Sequence, residues 1–125
     1  MNNSSLTLYL CYPKDFCKES QNFLLNYVDY TDRFVKADVR IIGMSGDNDD
    51  THNRWLSTLV IDGGVNPLNF ELRSVPTDTT VNDYIESLFD NDTGKIVYHR
   101  SSSHSDSDPA KLLDIVNRYR IGMDL

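Results

Sequence analysis

The sequence predicts an α/β fold: one domain built as βαβαβαβα, with a mostly parallel four-stranded sheet and helices on both faces. Strand-length apolar runs alternate with stretches of helical periodicity along most of the chain, the pattern of a sheet layered with helices. Gly, Pro, Asn and Asp gather between those stretches, where turns belong. At 125 residues, 39% hydrophobic and 25% charged, the chain is long enough for one core and too short for two ordinary domains.

Residues 6–13 mix leucines with Thr7, Tyr9 and Tyr12 and end at Pro13, which removes a ladder donor, so they predict a strand. Phe16, Phe23, Leu24, Tyr27 and Val28 then repeat at helical spacing and predict a helix over 16–30. Val39 to Met44 is a second strand, closed by a polar turn over 45–50 that offers helix caps. The next helix presents Trp55, Leu56, Leu59 and Val60 and stops at Gly63 and Gly64. Residues 69–75 predict a third strand.

After Pro76, the residues Val81, Tyr84, Ile85, Leu88 and Phe89 fit the i, i+3, i+4, i+7, i+8 helical template. The turn at 90–94 leads into a strand over 95–100, and the serine-rich stretch 101–107 is a loop. Asp108 as N-cap and Pro109 at the first helical position open a last helix with Leu112, Leu113, Ile115, Val116 and Tyr119 on its buried side. One alternative stays open: residues 83–90 as a strand, hairpinned to 95–100 through Asp92, Thr93 and Gly94, would make the sheet mixed.

Twelve basic against nineteen acidic residues give a formal charge of -7, which opposes non-specific binding to a phosphate backbone. No apolar run reaches the roughly 18 residues of a membrane span, and residues 1–5 lack a basic region followed by an apolar stretch. Glycosylation triplets begin at Asn2, Asn3 and Asn91, but with no export signal they carry no weight. Two cysteines, Cys11 and Cys17, make no disulfide framework, and a reducing cytoplasm fits them best.

The sharpest chemical candidate is Cys17-Lys18-Glu19-Ser20, since a cysteine that opens a helix after a strand sits where the helix N-terminus favours a thiolate. A dithiol cycle would need a second thiol at Ser20, which a hydroxyl cannot replace. The motif therefore reads as a helix start, with Ser20 and Glu19 serving the first turn's amides and dipole and Cys17 kept as a redox candidate. Cys11 is expected to point into the fold. His52, His99 and His104 do not fall at zinc-ligand spacing and read as surface histidines. The 90–94 turn lacks the glycine placement and distal glutamate of a calcium loop. No catalytic set, metal site or cofactor is expected.

Two resemblances bear on function. Tyr12-Pro13-Lys14-Asp15-Phe16, then Thr51-His52 with Trp55, Gly63-Gly64 and Pro67, are similar to peroxiredoxin motifs over about half the chain. That resemblance implies a thioredoxin-like mixed sheet. It also implies that Ser20 stands at the position of the peroxidatic cysteine, Cys17 at a threonine three residues before it, and Glu86 near the activating arginine. On this comparison the chain is a degenerate peroxiredoxin, structural or left with a single reactive thiol at Cys17.

The second resemblance rests on Leu6 to Leu10, Pro13 with Asp15, Lys18-Glu19, Asn53-Arg54 with Ser57 to Leu59, and Val75-Pro76 with Asp83. These are similar to the small accessory protein of the cystovirus polymerase complex, found in double-stranded RNA bacteriophages. It implies a BRCT-like, homodimeric, non-enzymatic assembly factor in the virion inner core or host cytoplasm. Its partners would be capsid and polymerase-complex proteins, its role capsid assembly and RNA packaging, and 122–125 would lead into a flexible tail. The leading expectation is this assembly factor, with the peroxiredoxin-like chain as its alternative.

Overall fold

The computed structural model describes residues 4–122. Readings that fall on residues 1–3, including the triplets at Asn2 and Asn3, and on 123–125 lie outside the described residues. The chain folds as β1 (Leu6–Cys11), α1 (Lys18–Leu25), a 3-10 turn (Val28–Tyr30), α2 (Thr31–Lys36), β2 (Val39–Ser45) and α3 (Asp49–Ser57). A second 3-10 turn (Val60–Asp62), β3 (Glu71–Ser74), β4 (Tyr84–Asp90), β5 (Lys95–Ser102) and α4 (Pro109–Arg120) complete it.

One five-stranded sheet runs in the order β3-β2-β1-β4-β5. β1, β2 and β3 are mutually parallel, whereas β4 is antiparallel to both β1 and β5. The expected mostly parallel four-stranded sheet is thus corrected to the mixed, thioredoxin-like alternative. The deciding segment is 84–90, a strand where helical spacing predicted a helix. Its burial alternates, with Tyr84, Glu86, Leu88 and Asp90 inward and the residues between them less buried, which is the period of a strand and not of a helix. Asp90 closes the hairpin by accepting from the amides of Asp92 and Thr93, and Gly94 takes a φ of 75° that suits glycine. The cis proline bond is Asn66–Pro67.

The helix expected over 16–30 divides. Phe16 adopts a left-handed φ of 55° ahead of it, and after Leu25 the chain tightens into the 3-10 turn before resuming as α2. That arrangement turns Tyr27 and Phe34 into the core, with their rings 5.9 Å apart. α3 is capped by Asn48, whose side chain accepts from the Thr51 amide, and α4 by Asp108, which accepts from the Lys111 amide, with Pro109 at its start.

All four helices pack on one face of the sheet, not on both as expected. The core side chains of the sheet, Leu6, Leu8, Leu10, Val39, Ile41 and Leu88, share that face by register. Phe23, Phe34, Trp55, Leu112 and Val116 meet them there. Topology gives the reason: β1 to β2 and β2 to β3 step the same way across the sheet, so right-handed crossovers put α1, α2 and α3 on a common side. Each large side chain buried here contributes roughly 1.5–3 kcal/mol.

Candidate functional site

The motif at 17–20 lies where β1 hands over to α1. Cys17 is the N-cap residue in extended conformation, and its side chain makes no capping bond. Its Sγ donates instead to Glu19 Oε2 at 3.1 Å. That bond holds the exposed Glu19 carboxyl below its ordinary range. Ser20 is fully buried and does not cap the helix; its hydroxyl lies 3.3 Å from the Tyr84 hydroxyl on β4.

Tyr84 stacks 5.0 Å from Phe23 and also reaches Cys17. Burial first, then the neighbouring Cys17 and Glu19, raise its phenol above the ordinary value, with Ser20 opposing. The site therefore comprises a partly exposed thiol, a carboxylate beside it, two hydroxyls behind it and the amides of the first turn of α1.

Glu86, expected near the activating cation of this site, sits one pleat further along β4 and serves the core. It is 1% exposed, accepts from the Tyr27 hydroxyl and the Asp108 amide, and pairs with Arg100 at 3.0 Å. The Glu86 bond in turn raises the Arg100 guanidinium. The β4 side chain that faces Ser20 is Tyr84. Cys11 does not point into the core: it is paired by register with Met44 and Ile85 on the opposite face, and burial pushes its thiol up.

His52 is not a surface histidine. It is 2% exposed and its Nδ1 lies 2.6 Å from Asp15 Oδ2. Tyr12 donates to the other oxygen of Asp15 at 2.7 Å, and Asp47 accepts from the Asp15 amide. This cluster braces the loop from β1 to Cys17. Its sequence signal was Thr51-His52 with Trp55 one turn on, but Asp15 lies 37 residues earlier. His99 and His104 are exposed, as expected.

Comparison with known proteins agrees with the sheet. The AhpC/TSA family matches residues 3–93. Peroxiredoxin-2 of Rattus norvegicus is 30% identical over 83 residues, which cover 66% of this chain and 41% of that protein. Alkyl hydroperoxide reductase C of Buchnera aphidicola is 29% identical over 73 residues, covering 58% of the chain and 37% of that protein. The chain thus spans about two-fifths of the curated relatives it matches.

Among solved structures, the reduced 2-Cys peroxiredoxin of Plasmodium vivax superposes with a TM-score of 0.82 at 21% identity, over 94% of this chain and 66% of that one. Mycobacterium tuberculosis AhpC does so with 0.77 at 17%, over 95% and 71%. These likenesses speak for the fold.

The findings overturn the expected viral assembly factor, its capsid and polymerase-complex partners, its RNA-packaging role and its place in a virion core. They also overturn the expectation that the chain is not an enzyme, because the matched proteins are named as peroxiredoxins and a reductase. Among the described residues no helix is long and apolar enough to cross a membrane. With its family match over most of its length and its peroxiredoxin-like sheet, the chain belongs to the AhpC/TSA family.

Proposed function

We propose that this chain is a single-thiol hydroperoxide-reducing member of its family, with Cys17 as the reactive group. The observation that carries the proposal is the placement of a partly exposed Sγ at the N-cap of α1, where the amides of the first turn favour a thiolate. Ser20, one turn into the helix, has no acidic hydrogen to give at neutral pH and is buried against Tyr84.

The thiol gives its proton to solvent, and the amides of the first turn support the thiolate. The thiolate attacks the outer oxygen of a hydroperoxide. The O–O bond breaks, sulfur is oxidised to a sulfenic acid and the leaving alkoxide takes a proton to become an alcohol. Cys11 lies on the far face of the sheet from α1, so the sulfenic acid is reduced by small thiols from solution. The first forms a mixed disulfide and releases water; the second frees Cys17 and leaves as the small disulfide.

Peroxide treatment followed by a sulfenic-acid trap tests this. One equivalent of label is expected on Cys17, retained in Cys11→Ser and lost in Cys17→Ser. Folded protein that stays unlabelled, or labels at Cys11, overturns the proposal. A homodimer is part of the same reading, supported by the exposed apolar side chains of Leu59, Val60 and Ile61 that Gln21 ties beside α1. Sedimentation at micromolar concentration should show it, and a strict monomer removes it.

A further inference from the structure

Two hydroxyls stand behind Cys17 that its attack on a hydroperoxide leaves unused. Ser20 is fully buried and Tyr84 is 8% exposed. Their oxygens lie 3.3 Å apart, and Tyr84 also reaches the Cys17 side chain. The Tyr84 ring sits 5.0 Å from that of Phe23, a contact that phenylalanine would make equally well. Its hydroxyl is explained by its partners, because a buried polar group is costly unless it is hydrogen-bonded. Those partners are a serine and the reacting cysteine. A serine hydroxyl can donate to the phenol oxygen, which leaves the phenol's own proton free for the cysteine side.

The reduction has one step that still lacks a donor. The alkoxide expelled when the O–O bond breaks is as strong a base as hydroxide, whose conjugate acid, water, has a pKa of about 15.7. A proton supplied while the bond breaks therefore lowers the barrier. Glu19 cannot supply it, since its carboxyl is held below the ordinary range and is ionised at neutral pH. The phenol of Tyr84 can. Burial, Cys17 and Glu19 raise it above its ordinary value, so it keeps its proton through the neutral range, and a phenol starts from about 10, well below an alcohol.

We propose that Tyr84 is the general acid of this reaction and Ser20 the residue that positions its hydroxyl, a role that rests on Cys17 as the peroxide-reducing thiol. The thiolate bonds to the outer oxygen, the O–O bond breaks, and the Tyr84 proton passes to the departing alkoxide, which leaves as an alcohol. Sulfur loses two electrons and the peroxide gains them. The phenolate left behind accepts from the Ser20 hydroxyl and regains a proton from solvent, replacing the one that the thiol released.

The test varies the leaving group in a Cys11→Ser background. tert-Butyl hydroperoxide expels an alkoxide, peracetic acid expels a carboxylate whose acid has a pKa of about 4, and iodoacetamide expels iodide. Only the first needs a proton. In Tyr84→Phe the rate of Cys17 with tert-butyl hydroperoxide should fall about a hundredfold or more, whereas the other two rates should shift only severalfold, through the lost contact with the thiolate. Ser20→Ala should show the same pattern to a smaller degree. Lys14→Met, which removes an exposed cation whose charge acts on Glu19, should leave the ratio of the three rates unaltered. Equal losses with all three reagents would assign Tyr84 to the thiolate alone, and a loss in Lys14→Met confined to the hydroperoxide would make Lys14 the donor; either result, or an unchanged hydroperoxide rate in folded Tyr84→Phe, overturns the proposal. A Cys17 that reacts with iodoacetamide in the Cys11→Ser chain but with neither oxidant fails at the thiol itself, and removes the parent reading together with its acid.

Discussion

Asp15 and His52 form a buried pair, Oδ2 to Nδ1 at 2.6 Å, that fastens the loop before Cys17 to the first turn of α3. Burial pulls the imidazole's proton affinity down; the hydrogen bond and charge of Asp15, with Asp47 and Asp49 adding, more than reverse this and leave it above its usual value. A raised folded value means that the pair's pH-linked stabilisation is fully present below about pH 6.5 and is lost as pH rises through the folded value. Urea unfolding across pH 5 to 9 should show stability declining on the alkaline side of that window. A profile unchanged in His52→Gln would exclude His52 as the cause.

Removing one member of such a pair leaves the other buried alone. Asp15→Ala should therefore cost about 3–5 kcal/mol, since it strands both His52 and the Tyr12 hydroxyl. Chemical denaturation measures the cost, and a loss below about 1 kcal/mol would mean that water replaces the carboxylate.

Glu86 gives a graded test of the same physics. Arg100→Ala removes its cation but leaves the Tyr27 hydroxyl and the Asp108 amide in place. With Arg100 partly exposed, the loss should fall below the roughly 3–5 kcal/mol of a fully buried pair. Glu86→Leu, which strands three donors at once, should cost more than Arg100→Ala in the same denaturation series.

Two adjacent glycines should lose stability to alanine by different amounts and for different reasons. A Cβ on Gly63 meets open space, although its φ of 91° is strained for alanine, so Gly63→Ala should cost about 1 kcal/mol. A Cβ on Gly64 would lie 1.9 Å from the Thr58 carbonyl oxygen, which is backbone and cannot swing away. Gly64→Ala should meet or exceed the roughly 1–3 kcal/mol of ordinary overpacking. Thermal unfolding of the two variants side by side decides it.

Tyr84→Phe should separate packing from chemistry at the α1 start. It keeps the ring against Phe23 and deletes only the hydroxyl shared with Ser20 and Cys17. Stability should fall by about 0.5–1.5 kcal/mol, while the rate at which Cys17 reacts with iodoacetamide changes. Rates unchanged toward both iodoacetamide and a hydroperoxide would make Tyr84 purely structural.

Much of this fold is legible from local pattern because its causes are local. Asp108 and Pro109 announce α4, and the apolar runs of β1 and β2 announce central strands. What misleads is interaction across long sequence separations. Tyr84 and Leu88 suit a helix at spacing four and a strand at spacing two equally well. The residue that would decide between them, Glu86, looks like a solvent-facing charge until Arg100 arrives on the neighbouring strand. His52 looks solitary because α1, the first 3-10 turn, α2 and β2 all separate it from its partner. Cys17 was legible as a helix start, but the hydroxyl behind it comes from β4, 64 residues from Ser20.

The position of β1 at the middle of the sheet also governs how the chain can be made. Of the described strands it leaves the ribosome first, and β2 can pair with one side of it once Ser45 has been synthesised. Its other side has no partner until Asp90 emerges opposite Leu6. Through that interval Leu6 to Cys11 is an open edge, apolar on both surfaces, the kind of segment that pairs with other chains. Translation slowed between residues 45 and 90 should therefore lower the yield of soluble protein more than the same delay placed after β4.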